Sequence, residues 1–392
     1  MSKEITISSF NKRYEKLQRF KQNILAIQSH IKKILMAGGL TYDGASLDLY
    51  LFEKEIDKAG SEIERLRGKR PLQGIFAAII PYDVPVFLHA MYTAIPYLAG
   101  YPVVFRFPSI MKDLNEIYRE ALKGAGITSI EIETKSGKEF GKECIDSPEV
   151  VCLILAGAKE IVDHYSSPEI ASKFKRLFLL GPTRPKLVLF ESFEPERIRN
   201  IVEESLYSSG QICGLYKEVI VPEKIYNDVL DQMAHAFENI DFGSPENTVG
   251  PIRNKGSFEH AKRWIKEFKA SPNYRIVIGG NVHEDPQLIE PTLVEVVGDI
   301  DHSIELFAPI MLIRKAKNNE HAIKLANEDK IHGLLAGIYA KDPVETHRYL
   351  GKLAQQHGIV LANATIMQNP RSDFKTRVFS ANLEVCGSKA MS

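Results

Sequence analysis

The sequence IFAAIIPYDVPVFLHAMYTAIPYLAGYPVVF occupies residues 75–105 and is apolar over most of its length. A membrane-spanning helix needs about 20 consecutive apolar residues, but this stretch contains Asp83 and four prolines. Proline interrupts a helix because it lacks an amide hydrogen. The pattern instead predicts a buried strand at about 75–80, a turn, a buried helix at about 85–98 and a second strand at about 102–106.

The alternation of strands and helices continues on the C-terminal side of this stretch, which is typical of an α/β fold with largely parallel sheets. Residues 10–70, on its N-terminal side, have apolar residues at three- and four-residue spacing and are predicted to be mostly helical. Further helices are predicted at 114–124, 195–208, 223–238, 257–268, 319–328 and 343–356. Further strands are predicted at 150–155, 176–180, 186–190, 275–279, 292–297, 308–314, 335–339 and 358–361.

The composition excludes several classes of protein. The 392 residues are enough for two or three domains. Fifty basic and fifty acidic residues cancel, so no nucleic acid or membrane partner is indicated. The four cysteines are far apart, which argues against a disulfide framework or a metal site and fits the cytoplasm. Residues 1–21 are polar and mixed in charge, so no signal peptide is expected.

A cysteine between glycines is the main candidate for chemistry, in the segment Gly210-Gln211-Ile212-Cys213-Gly214. Glycines permit close approach of a ligand, and a thiol held there can act as a nucleophile near backbone N–H groups. The alternative is a structural cysteine in a tight turn, because free cysteine is often buried. No lysine or histidine is immediately adjacent in the sequence. Activation of the thiol would therefore come from backbone dipoles, a cofactor or groups that the fold brings close.

Seven segments, in the family order over roughly residues 70–365, resemble the aldehyde dehydrogenase superfamily. Gly210–Cys213 resembles its nucleophile motif G-Q-x-C, and Glu305–Ile310 resembles E-I-F-G-P-V. Ile80–Pro85 is similar to I-P-W-N-F-P. The other four similar segments are Leu98–Arg106, Ile289–Leu293, Ala326–Leu334 and Gly358–Asn363.

This resemblance implies an aldehyde dehydrogenase-like fold with three parts. Residues 1–181 would form a Rossmann-type NAD(P)-binding domain with a helical N-terminal segment. Residues 182–362 would form an α/β catalytic domain, and residues 363–392 a C-terminal tail. Cys213 would attack a small aldehyde as the thiolate and give a thiohemiacetal, whose hydride passes to NAD or NADP.

The resemblance also implies residues that bind the cofactor. Pro81, Arg106 and Gly157 would lie at the NAD(P) site, Glu305 would hold the nicotinamide ribose, and Phe307 would pack near the nicotinamide. Three alternatives stay open: Gly157 in a plain strand-to-helix turn, Glu305 as a surface acid and Phe307 as a core residue. Arg106 keeps the charge of the family lysine. Ser109 replaces an acid that binds the adenosine ribose, which leaves NADP open beside NAD.

Two positions depart from the family pattern at the catalytic centre. Asp83 takes the place of the asparagine that donates to the oxyanion, a loss worth about 10²–10³-fold in rate. Leu179 takes the place of the general-base glutamate, worth about 10²–10⁴-fold. The alternatives are therefore an acyl-CoA-dependent aldehyde dehydrogenase, an impaired relative that binds a nucleotide or partner, and a protein that kept only the fold.

A missing element suggests how the chain assembles. The family has a β-hairpin used for building tetramers just before Ile75, but residues 53–69 are charged and helical in pattern. We therefore expect a homo-oligomer, with a homodimer favoured because twofold pairing is the commonest arrangement.

Overall fold

The computed structural model describes residues 4–328 and 333–365. The chain divides into two compact units. Among the described residues, the first contains 4–38 and 45–181, and the second contains 39–44, 182–328 and 333–365. The C-terminal tail predicted from 363 lies, beyond residue 365, outside the described residues.

The N-terminal part of the first unit is helical, as predicted for residues 10–70. The first helix begins at a capping box between Thr6 and Ser9. Its buried residues Phe10, Leu17, Phe20 and Ile24 recur at the spacing of one helical face. Residues 53–66, which stand where the hairpin would be, are also helical. The helices are α1 (Ile7–Ala26), α2 (Gln28–Ala37), α3 (Tyr42–Ala59) and α4 (Ile63–Leu66).

The first unit is built on a five-stranded sheet whose strands are all parallel. The strand–helix–strand prediction for residues 75–105 is confirmed, since it corresponds to β1, α5 and β2. The strands are β1 (Ile75–Ile79), β2 (Val103–Arg106), β3 (Ile130–Ile132), β4 (Val150–Ala156) and β5 (Arg176–Leu180), in the order β3-β2-β1-β4-β5. The helices are α5 (Pro85–Ala99), α6 (Leu114–Gly124), α7 (Gly137–Asp146), α8 (Lys159–Ser166) and α9 (Pro168–Ala171).

The second unit contains a seven-stranded sheet in the order β14-β13-β6-β7-β12-β11-β8. All its strands are parallel to their neighbours except β8, which runs antiparallel to β11. Its strands are β6 (Lys186–Leu189), β7 (Glu218–Pro222), β8 (Tyr274–Ile278), β11 (Thr292–Val296), β12 (Ile310–Ala316), β13 (Gly333–Tyr339) and β14 (His357–Ala362), with a separate hairpin of β9 (Val282–His283) and β10 (Leu288–Ile289). Its helices are α10 (Ile198–Leu206), α11 (Tyr226–Glu238), α12 (Lys255–Ala270), α13 (Asn319–Ala326) and α14 (Pro343–Leu353).

Apolar residues between helices and sheet form the cores of both units. In the first unit, a cluster joins β1, β4 and β5 to α7 and α8. In the second, one cluster surrounds α12, and another joins α13 and α14 to β6 and β13. No helix in the described part of the chain has both the length and the apolar character required to cross a bilayer.

Candidate active site

Three of the proposed cofactor-binding residues lie at one edge of the first unit's sheet. In a parallel sheet the carboxyl ends of all strands share an edge. Ile79 at the end of β1 pairs with Arg106 of β2 on one side and with Leu155 of β4 on the other. Pro81 follows β1, Arg106 ends β2, and Gly157 follows β4. The strand order changes direction between β1 and β4, and open α/β sheets bind ligands outside the carboxyl ends of the strands at such a point.

Arg106 is a buried cation with an unused hydrogen-bond donor. Its Nη2 donates to Ser109 Oγ at 3.0 Å, and its Nε has no partner among the described residues. Burial lowers the pKa of Arg106, and Glu133 opposes this effect. A Cβ on Gly137, the first residue of α7, would lie 3.0 Å from Arg106 Nη1. A guanidinium with a spare N–H beside a helix start is suited to an anionic group such as phosphate.

Gly157 connects β4 to the helix α8. Its amide donates to the carbonyl of Leu180 at 3.0 Å, so this N–H is engaged by the neighbouring strand. A Cβ at Gly157 would lie 2.8 Å from a methyl carbon of Ile161. Both interpretations of Gly157 remain, since a phosphate site and a strand-to-helix turn each need a residue without a side chain.

Asp83 lies close to a second buried acid, Asp48 of α3. The Asp48 carboxylate accepts hydrogen bonds from the amides of Val86 (3.1 Å) and Phe87 (2.7 Å) in the first turn of α5. Burial raises the pKa of Asp48 to about 8, the two amides lower it, and the charge of Asp83 raises it further. Asp83 is itself buried. The predicted catalytic position 83 therefore belongs to a pair of interacting buried acids.

Leu179 belongs to the hydrophobic core of the first unit. It lies on β5, is 2% exposed, and shares an apolar cluster with Leu177 and Leu155. The side chain at this position has no group that could take a proton.

In the second unit, Cys213 lies in the segment that precedes β7. It is partly exposed, whereas Cys144 and Cys152 are buried. Burial raises the pKa of each of these two thiols to about 12, which keeps them protonated near neutral pH. Cys386 lies outside the described residues. Among the described cysteines, Cys213 is the one placed to meet a reagent.

A left-handed turn precedes Cys213 and corrects the predicted helix 195–208. The α-helix ends at Leu206, and Ser208, Ser209 and Gly210 have φ values of 53°, 57° and 65°. Ser209 Oγ donates to the carbonyl of Gly250 at 2.8 Å and accepts from its amide at 2.9 Å. These distant contacts hold a conformation that is costly for residues with a Cβ.

The segments containing Cys213 and Glu305 meet at the amino edge of the second sheet. They precede β7 and β12, which are parallel neighbours. A Cβ at Gly210 would overlap the carbonyl oxygen of Ala308, so the two backbones approach closely only because residue 210 is glycine. Glu305 and Phe307 are half-buried and alternate with the buried residues Leu306 and Ala308.

Lys217 is a residue of this site that the sequence analysis missed. Its Nζ donates to the carbonyl of Gly210 at 2.5 Å and to that of Ala308 at 3.4 Å. Burial lowers the pKa of Lys217 to about 7, and the charge of Cys213 opposes this effect. The sequence does contain a signal for Lys217. It forms, with Glu218, a pair of charged residues where an otherwise apolar strand begins.

Glu218, next to Lys217, is the centre of a separate buried ion cluster. Its Oε2 accepts from Arg184 Nε at 2.9 Å and from Lys186 Nζ at 2.6 Å, and all three side chains are fully buried. Burial acts to raise the pKa of Glu218, but the charges of Lys186 and Arg184 outweigh it and hold the pKa at about 2. The carboxylate of Glu218 is therefore engaged by these two cations.

A model of the aldehyde dehydrogenase family matches residues 6–375 of this chain. The chain belongs to the aldehyde dehydrogenase family. This confirms the predicted membership of the superfamily, whose members are aldehyde oxidoreductases. A lactaldehyde dehydrogenase of Methanococcus vannielii is 28% identical over 329 residues, covering 81% of this chain and 69% of that protein. The chain spans 64% and 59% of two further curated relatives.

Solved structures confirm the aldehyde dehydrogenase fold. An NAD-dependent benzaldehyde dehydrogenase from Corynebacterium glutamicum has a TM-score of 0.82 at 20% identity, over 95% of this chain and 82% of that one. A glyceraldehyde-3-phosphate dehydrogenase from Methanocaldococcus jannaschii, complexed with NADP, has a TM-score of 0.75 at 22% identity, over 91% and 81% of the two chains.

Proposed function

We propose that this family member is an NAD(P)-dependent oxidoreductase that acts on a small aldehyde through Cys213. The observation that carries this proposal is the placement of Cys213. Among the described cysteines, it is the one that is partly exposed. The backbone of its segment packs closely against the segment Glu305–Pro309, and the contact is at Gly210. The family match supplies the reaction class.

In the proposed reaction the Cys213 thiolate attacks the carbonyl carbon of the aldehyde. A bond forms between Sγ and that carbon, and the carbonyl electron pair moves onto oxygen. The amide N–H of Cys213 is the candidate donor to this oxyanion. The resemblance gives Asp83 the place of the family's side-chain donor to this oxyanion, and an ionised carboxylate in that role would oppose the step. Bound NAD or NADP would supply the acceptor for the hydride.

Each unit by itself holds residues that are suited to part of a nicotinamide dinucleotide. In the first unit, Arg106 has a buried Nε without a partner among the described residues, which is a vacant donor for an anionic group. Pro81 and Gly157 lie at the same edge of the sheet. Glu305 and Phe307 of the second unit would hold the ribose and the nicotinamide. Ser109 presents a hydroxyl where a carboxylate would repel a 2′-phosphate, so we expect NADP to bind at least as tightly as NAD.

Leu179 favours a second candidate for the step that releases the acyl group from Cys213. Release of an acyl group from Cys213 by water needs a general base, and the core residue Leu179 supplies none. A thiol such as that of CoA is a better nucleophile than water and has less need of this base. The alternative activity is therefore that of an acyl-CoA-forming aldehyde dehydrogenase. A further alternative is an impaired family member that binds the nucleotide but does not turn over an aldehyde.

Cofactor titration combined with alkylation tests the proposal. We expect NAD or NADP to bind with a measurable Kd, and iodoacetamide to modify Cys213 faster than Cys144 or Cys152, at a rate that the cofactor changes. Peptide mass spectrometry measures the modification, and Cys213→Ala is the control. Cofactor binding with an inert Cys213 would leave only the nucleotide-binding alternative, and no binding at all would refute the dehydrogenase proposal.

A further inference from the structure

Lys217 connects the two segments that form the second unit's part of the site. It lies four residues after Cys213, and its side chain is 1% exposed. Its ammonium donates to the carbonyl of Gly210, three residues before Cys213, and to that of Ala308 beside Phe307. The hydrogen bond to Gly210 closes a loop, residues 210–217, that contains Cys213.

No carboxylate is recorded within salt-bridge distance of this ammonium in residues 4–328 and 333–365. The neighbouring carboxylate, Glu218, is held by Arg184 and Lys186. The charge of Cys213 acts to raise the pKa of Lys217, against the larger effect of burial. Glu305 is the nearest acid along the other segment, three residues before Ala308. A buried cation without a paired acid acts strongly on a nearby anion, because the surrounding protein screens it less than water would.

We propose that Lys217 is a positioning residue that closes the 210–217 loop and supplies the positive charge favouring the Cys213 thiolate. This inference rests on the proposed role of Cys213 as nucleophile. The favourable interaction between Lys217 and Cys213 is reciprocal, because each charged form stabilises the other. Burial lowers the pKa of Lys217 to about 7, so its charge changes near neutral pH.

Two substitutions separate the charge from the hydrogen bond. Lys217→Met removes both and keeps a similar volume. Lys217→Gln removes the charge and keeps an N–H donor, on a side chain that is one bond shorter and also carries a carbonyl oxygen. Lys224→Met is the control, because it removes an ammonium of the same unit that pairs with Glu191 at 3.2 Å, whereas Lys217 is the lysine that donates to Gly210 and Ala308. Circular dichroism would verify that each variant is folded.

The rate of Cys213 alkylation by iodoacetamide is then measured by mass spectrometry from pH 5.5 to 9.5. We expect the inflection of the rate profile to move to higher pH in both Lys217 variants. At pH 7 the rate should fall by about tenfold, which is the effect of moving the midpoint by one pH unit. Lys224→Met should keep the wild-type profile.

The outcomes distinguish this inference from the proposed function. A wild-type Cys213 that is inert at every pH refutes the nucleophile and the inference together. A reactive Cys213 whose profile is unchanged in Lys217→Gln overturns only the inference. If Lys217→Met does not fold, the Lys217→Gln profile decides.

Discussion

At the scale of single residues, Gly210 has the strictest requirement in the candidate site. Its φ is 65°, and a Cβ there would overlap the carbonyl oxygen of Ala308 and lie 2.7 Å from Lys217 Nζ. Either condition alone disfavours a side chain. The backbone around Cys213 therefore depends on the absence of a single methyl group.

We predict that Gly210→Ala destabilises the protein by about 1–3 kcal/mol, because the residue is both strained and crowded. Urea unfolding measures this loss, and alkylation of Cys213 in the folded variant should slow. Gly351→Ala is the matched control, since Gly351 lies within α14 and a Cβ there meets nothing within 4 Å. That variant should be stabilised by about 0.5–1 kcal/mol. If the two variants had the same free energy of unfolding, the argument that Gly210 is crowded would be wrong.

The sequence predicted Cys213 as the candidate nucleophile but not the contacts that hold its segment. Cys213 was identifiable because glycines flank it in a recognisable motif. The left-handed turn at Ser208 and Ser209 depends on Gly250, and the role of Lys217 depends on Ala308. These partners are about 40 and 90 residues away, and a local pattern of polar and apolar residues carries no information about them.

At the scale of secondary structure, strands and helices with long apolar runs were predicted correctly. The prediction for 75–105 was accurate because Pro81, Pro85 and Pro102 separate two apolar strands from one apolar helix, although Pro96 lies within that helix. Two elements between residues 130 and 150 were not predicted: β3 and α7. The strand β3 has three residues, too few to show an alternation, whereas α7 buries Phe140 and Cys144 at helical spacing, a signal that the sequence analysis overlooked.

The ion cluster joining β6 to β7 leads to a prediction at this scale. Lys186 and Glu218 are cross-strand partners and fully buried. Glu218→Gln should destabilise the protein by about 3–5 kcal/mol, because Arg184 and Lys186 would remain buried without their carboxylate. Thermal unfolding measures the loss. Glu203→Gln breaks an ion pair with Arg199 on the surface of α10 and should leave the unfolding temperature unchanged. A similarly small effect for Glu218→Gln would show that the cluster tolerates the unpaired cations.

The start of α5 leads to a prediction about pH. Asp48 accepts from two amides there, and burial raises its folded-state pKa from 3.8 to about 8. The folded state therefore binds a proton that the unfolded state releases between about pH 4 and pH 8. The stability that Asp48 contributes is present below pH 4 and lost as the pH rises to 8.

Urea midpoints at pH 5 and pH 8 test this sign. We expect Asp48 to lower the free energy of unfolding by up to about 1.4 kcal/mol per pH unit over that window. Asp48→Asn should flatten the dependence, while Asp146→Asn, at an exposed residue ending α7, should keep the wild-type slope. An unchanged slope in Asp48→Asn would mean that Asp48 is already ionised in the folded state over this pH range.

At the scale of the whole molecule, the segment before β1 leads to the prediction about assembly. Residues 53–66 are helical, where the family has a hairpin used to build tetramers. We therefore predict a homodimer. Light scattering coupled to size-exclusion chromatography measures the mass, and a tetramer that persists on dilution would contradict the prediction.

The segment 39–44 makes the second unit discontinuous along the chain. The amide of Tyr42 donates to the carbonyl of Pro245 at 2.8 Å, and that of Thr41 donates to Ser208 Oγ at 3.4 Å, beside the left-handed turn. A gene fragment that starts at codon 182 would therefore encode the second unit without residues 39–44. Recombination that exchanges one unit between relatives would have to transfer two separate stretches of DNA, so we expect the two units to be inherited together rather than shuffled.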